Sequence, residues 1–137
     1  MDTNDKITIF DNESLGLWFH TKEKIVHHCL KTFVYGDAFR NVLLKGAEIF
    51  REKGAVKWLS DDRGNSAIRP EDSQWGVEVW TPMVMEGGWK YWAVVMPEKV
   101  LGQMNMRRFI KMYKDMGVEV QVFSDPDEAF RWLAAQE

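Results

Sequence analysis

Lys90-Tyr91-Trp92-Ala93-Val94-Val95-Met96, closed by Pro97, decides the fold of this chain. The run is short, nearly continuous in apolar residues and β-branched at its centre. Such a pattern suits a central strand covered on both faces, not one that alternates between core and water. A strand of that kind needs helical cover, and the flanking sequence supplies it. On the C-terminal side Met106, Phe109, Ile110, Tyr113 and Met116 recur at helical spacing, and Gly117 ends the helix. Val118, Val120 and Val122 then alternate as a strand. Asp125-Pro126-Asp127-Glu128 starts a last helix, with a capping aspartate, a proline at the first turn and a glutamate three residues past the cap. Phe130, Leu133 and Ala134 give that helix an apolar face.

Toward the N-terminus, Pro70 with Glu71 and Asp72 begins a helix. Trp75, Val79 and Met83 form one apolar stripe along it, and Val77, Trp80 and Val84 form a second. Pro82 is expected to kink that helix or close it early, and Gly87-Gly88 ends the segment. Before it, Ala55-Val56-Lys57-Trp58-Leu59 reads as a strand leading into the polar loop Ser60–Ser66. Asp37 is a good helix cap, followed by Phe39, Val42, Leu43, Ala47 and Phe50 at helical spacing and by Gly54. Three further short runs, from Ile7, Leu15 and Ile25, are joined by short polar breaks and read as an antiparallel meander. The order β-β-β-α-β-α-β-α-β-α predicts one α/β domain over residues 1–137. Its sheet is mixed but mainly parallel, with antiparallel N-terminal strands and about four helices.

Composition narrows the function. The chain has 137 residues and a net charge of −3, which gives no electrostatic reason to bind nucleic acid or an anionic membrane. Arg107, Arg108, Lys111 and Lys114 read as a solvated helix face. The acidic, polar N-terminus does not resemble a signal peptide, and no apolar run is long enough to cross a membrane. With a single cysteine, Cys29, these features lead to the expectation of a cytoplasmic protein. The seven tryptophans require polar partners for their indole N–H groups wherever they are buried.

Several residues are candidates for chemistry. Asp61, Asp62, Arg63, Asn65 and Ser66 form a loop at the end of a strand, where α/β sheets often bind ligands, and are the candidate ligand-binding site. The same residue types also favour turns for local reasons. Trp80, Met83, Met85 and Trp89 form the candidate interface, because aromatics and methionine are enriched at such surfaces. His20, His27 and His28 do not suggest a metal site: neighbours on a strand point to opposite faces, and no Cys/His spacing supports zinc. Cys29 reads as a small core residue. The sequence contains no nucleophile elbow and no phosphate-binding glycine loop. No catalytic residue, metal or cofactor is assigned.

The element order also carries a family resemblance. Trp58-Leu59-Ser60-Asp61-Asp62-Arg63, Pro70-Glu71-Asp72 with Trp75 and Trp80-Thr81-Pro82, Ala93-Val94-Val95 before Pro97, and Val122-Phe123-Ser124-Asp125 with Glu128 to Leu133 resemble the STAS-like domains of bacteria. These include anti-sigma-factor antagonists and an uncharacterised group related in fold to CRAL-TRIO domains. The resemblance implies a layered α/β fold and a non-enzymatic protein-interaction or regulatory module, acting on a second copy or on another protein. Antagonists of this fold carry a phosphorylatable serine in an Asp-Ser-(Ser/Thr)-Gly motif; here the region reads Asp61-Asp62-Arg63-Gly64-Asn65-Ser66, and no residue matches that serine. The extra helical segment that encloses lipid in CRAL-TRIO domains has no counterpart here. Two other expectations stand beside this one: a small-molecule binder with a pocket of several hundred cubic ångströms at the strand ends, and, least favoured, an enzyme.

Overall fold

A computed structural model describes residues 5–137. The polar start of the N-terminal segment, residues 1–4, lies outside the described residues. Strands β1 (Lys6–Asp11), β2 (Leu15–His20) and β3 (Ile25–Leu30) form the antiparallel meander. β4 (Lys57–Asp61), β5 (Tyr91–Val95) and β6 (Glu119–Phe123) continue the sheet in parallel with β3. The spatial order is β1-β2-β3-β4-β5-β6, identical to the sequence order. The fold class is therefore the one the hydrophobic pattern predicts: a mixed α/β sheet, antiparallel at its N-terminal end.

Parallel strands laid down in sequence have consequences for the helices. Crossovers of one hand that always step the same way put their helices on one face of the sheet. Helix α1 (Gly36–Glu52), the α2–α3 rod (Pro70–Trp75 and Thr81–Glu86) and α4 (Val100–Asp115) all pack there. That face presents Leu17, Val26, His28, Trp58, Ser60, Trp92 and Val94. Helix α5 (Pro126–Ala134) covers the opposite face alone, over Ile25, Leu59, Ala93 and Val95. The central run at β5 is buried on both sides, as its composition requires.

Two local predictions change. Asp37 does not cap α1; it lies in the first turn. The cap comes from α2, where Asp72 accepts the Gly36 backbone N–H at 2.8 Å and the Arg40 Nε–H at 3.1 Å. Pro82 neither breaks nor visibly ends its helix. The rod absorbs it with a π turn over Gly76–Trp80, in which both the Thr81 backbone N–H and the Thr81 hydroxyl bond to the Gly76 carbonyl. The wider turn leaves Val77 and Val79 exposed and turns Asp72, Gly76, Trp80 and Val84 inward. At α5 the expected cap is present: Asp125 accepts the Asp127 N–H.

Candidate functional site

The alternation of β4 divides the predicted loop site in two. Asp61 and Asp62 are neighbours on an extended segment, so their side chains take opposite faces of the sheet. Asp61 turns to the α5 side, where Arg63 grips its two carboxylate oxygens through Nε and Nη2, each at 2.9 Å. The Cys29 thiol lies 3.7 Å from the same carboxylate. Burial first, then the charge of Asp61, pushes that thiol up to about 12. Cys29 is half-buried and held as an unreactive thiol, not a core residue in the strict sense. Asn65 is buried and structural: its side-chain oxygen accepts the Val34 N–H and pins the chain entering α1. Ser66 is half-buried in the same loop. Gly64 is required there, since a Cβ would stand 2.1 Å from the Lys31 carbonyl oxygen.

Asp62 turns the other way, under the three helices, and joins a chain of buried hydrogen bonds. The Trp58 indole donates to His28 Nδ1 at 3.0 Å, and His28 Nε2 lies 2.8 Å from Asp62 Oδ1. An imidazole that accepts at Nδ1 carries its proton on Nε2, so His28 is neutral and donates to Asp62. Both of its nitrogens are engaged, which leaves it no free lone pair with which to act as a base. Asp62 is only 3% exposed. Its second oxygen, Oδ2, has no hydrogen-bond donor among the described residues, yet no fully enclosed polar side-chain atom lacks a partner. Oδ2 therefore borders open space.

That space is a cavity of about 60 Å³ between the sheet and the helices. At about 10–15 Å³ for each water-sized sphere, it holds roughly four to six of them. Its walls are apolar and aromatic, with Leu43, Trp80, Trp92, Met106, Phe109 and Tyr113 prominent. The polar residues in its lining are His28, Ser60, Asp62 and Asp72. Ser60 accepts the Trp92 indole at 2.8 Å, and the Tyr113 hydroxyl lies 2.7 Å from Thr81. Burial pushes Tyr113 up to about 12. The π turn borders the same cavity through Gly76 and Trp80, a common placement for that distortion.

The candidate interface is corrected by burial. Trp80 is 6% and Trp89 4% exposed; both lie in the core and stack edge-to-face on each other. Their indoles donate to the Leu43 and Tyr91 carbonyls. Met83 and Met85 are half-buried against the same core. The physical reason is burial against Trp58 and Tyr113: both indoles pack in the aromatic cluster of the core, with Trp80 on the inward row Asp72, Gly76, Trp80, Val84 of the rod. The expected pocket of several hundred cubic ångströms at the strand ends is corrected in its lining: a groove of about 570 Å³ lies by the ends of β5 and β6, bordered by Met96, Gln103, Arg107, Ile110, Lys111 and Val122, and none of Asp61, Asp62 and Arg63 lines it. A sheet ordered by sequence has no reversal of strand order, hence no switch-point crevice at its rim. The cavity of about 60 Å³ forms beneath the helices instead, and of the predicted loop Ser60–Ser66 only Ser60 and Asp62 line it.

His28 was the residue that sequence reasoning left unassigned. Its partners, Trp58 and Asp62, lie 30 and 34 residues away. The usable signal was parity: Trp58, Ser60 and Asp62 alternate with Lys57, Leu59 and Asp61. Among the described residues no group of three or more His, Cys, Asp or Glu side chains is arranged to hold a metal ion, and no helix is long and apolar enough to cross a membrane.

Fold and cavity together define an α/β protein with a sequentially ordered mixed sheet and a small, half-open, largely apolar cavity that a buried aspartate borders. No family model, curated protein or solved structure matches the chain.

Proposed function

We propose that this protein is a non-enzymatic module that binds a small, partly apolar molecule in the cavity beneath α1, the α2–α3 rod and α4. One observation carries the reading: an aromatic-lined void of about 60 Å³ bordered by Asp62, whose Oδ2 has no hydrogen-bond donor among the described residues. Natural cores are close-packed, and a void with a polar head suits an occupant better than it suits packing. A STAS-like origin and a cytoplasmic place belong to the same proposal. The first is supported by the mixed sheet with its antiparallel N-terminal strands, the second by the lone, unpaired Cys29.

The test is an NMR titration with neutral molecules of four or five heavy atoms, read at the Trp80 and Trp92 indole N–H signals. Binding is expected to move both signals, and Val42→Phe, which fills the void, is expected to abolish the movement. Unmoved signals, or equal movement in the filled variant, would refute the reading.

A second reading, regulation through contact with another protein or a second copy, is favoured by a different surface from the one first expected. Val100, Leu101 and Met104 lie exposed together at the start of α4, with Val100 70% accessible. Sedimentation velocity of the protein and of Leu101→Lys tests self-association there. A monomer at all concentrations, unchanged by the substitution, removes the homodimer.

A further inference from the structure

Resting on the binding reading above, we infer that the cavity selects a small organic cation, an alkylammonium whose N–H groups meet Asp62 Oδ2. The charge pattern of the walls carries this. Two carboxylates line the void, Asp62 and Asp72, and no lysine or arginine does. Asp72 is answered by Arg40 and the Gly36 N–H. Asp61, on the far face, is answered by Arg63. Among the described residues Asp62 meets no lysine or arginine: its partner is His28, which accepts the Trp58 indole at Nδ1 and so donates to Asp62 as a neutral ring. A carboxylate taken out of water without a counter-charge is costly to bury, and a cationic occupant removes that cost.

The rest of the wall suits the same guest. Trp80, Trp92, Phe109 and Tyr113 all border the void, and aromatic faces attract ammonium groups and the polarised CH₂ beside them. Trp92 and Tyr113 stack edge-to-face, with centroids 5.5 Å apart, and present a rigid surface to the occupant. The Trp92 N–H is already spent on Ser60 and the Trp80 N–H on Leu43. Neither indole N–H is therefore free to meet an anion. The size of the void limits the guest to a short chain of roughly four or five heavy atoms.

The experiment compares three probes of one shape that differ only in the head group: n-propylammonium, n-propanol and propionate. Each is titrated into the full chain at neutral pH and followed at the Trp80 and Trp92 indole signals. The expected result is n-propylammonium bound at least tenfold more tightly than n-propanol, with propionate weakest. Asp62→Asn keeps an oxygen to accept from His28 Nε2 but turns a donor into the cavity. It is expected to weaken n-propylammonium at least tenfold and so to erase its preference over n-propanol; an amine that keeps its tenfold preference in this variant overturns the inference. Alcohol or carboxylate binding as tight as the amine overturns the cation inference and leaves the cavity reading intact. No movement of the indole signals with any of the three overturns both. Should Asp62→Asn fail to fold, the order of the three probes on the unaltered protein still decides.

Discussion

The two faces of this sheet are built from the same strands and differ in almost everything else. The face under α1, the α2–α3 rod and α4 holds the larger core, four buried tryptophans with satisfied indoles, and the cavity. The face under α5 holds a small aliphatic cluster. Beside it runs a strip of half-buried polar groups, where Trp18, His27 and Cys29 lie next to buried His20 and Asp61. Three helical segments on one side and one on the other follow from crossovers that never change direction. The lesson is that a parallel sheet wound one way concentrates both its stability and its recognition chemistry on a single face. The other face is left to local pairing: Arg63 on Asp61, Lys6 over the Trp18 ring, and His20 against His27.

The contrast breaks first at Trp58, which lies flat against Gly46, edge-on to Trp80, and donates to His28. Trp58→Ala removes the largest fully buried side chain and leaves the His28 acceptor without its donor. We expect a loss of about 3–5 kcal/mol in urea unfolding. On the thinner face, Leu133→Ala should cost less, about 2–3 kcal/mol in the same assay, because α5 can settle into the space left behind. Equal losses would mean that the faces are energetically alike and that the contrast above is only geometric.

The polar strip supplies a pH signature that the helical face does not share. His20 Nε2 and His27 Nδ1 are 3.1 Å apart. Burial, and then the charge of Lys6, holds His20 down at about 4; burial and the neighbouring histidines hold His27 well below its ordinary range. Each ring therefore binds a proton more readily in the unfolded chain than in the folded one. Stability is complete above about 6.5 and drains as pH falls toward about 4. At roughly 1.4 kcal/mol per pH unit, with part of the effect screened by solvent, the loss should reach about 2 kcal/mol. Urea midpoints measured across that range test it, and a His20→Gln/His27→Gln double variant should flatten the curve. The smallest expected effect is kinetic. Cys29 should alkylate with iodoacetamide far more slowly than free cysteine at mildly alkaline pH, and Asp61→Asn should speed it several-fold by removing the adjacent charge. An unchanged rate would show that burial alone governs the thiol.

Much of this architecture was legible from residue spacing. The run at β5 announced its burial, the alternation of Val118, Val120 and Val122 the strand β6, and Asp125-Pro126 the start of α5. The two faces were harder to read, for a specific reason. Parity was applied to His27 and His28, which do point apart, but not to Asp61 and Asp62, which obey the same rule. Treating those two aspartates as one cluster hid the fact that only Asp62 reaches the cavity. Trp80 and Trp89 were placed at a surface because aromatic and methionine content suits an interface as well as a core, and only the packing against Trp58 and Tyr113 decides between the two. The cavity itself was not readable. It depends on how helices from three separate stretches fail to close over Ser60 and Asp62, and that is a property of packing at long range.

Because each strand is bonded only to its neighbours along the chain, the sheet can be assembled as a growing zipper while the polypeptide is being synthesised. The helix that shields Ile25, Leu59, Ala93 and Val95 is added only after the last strand is in place. Until then a nascent molecule shows that aliphatic strip to the surroundings. The interval between completing β6 and docking α5 is therefore the moment at which this protein is most open to chaperone capture or to misassociation with its neighbours.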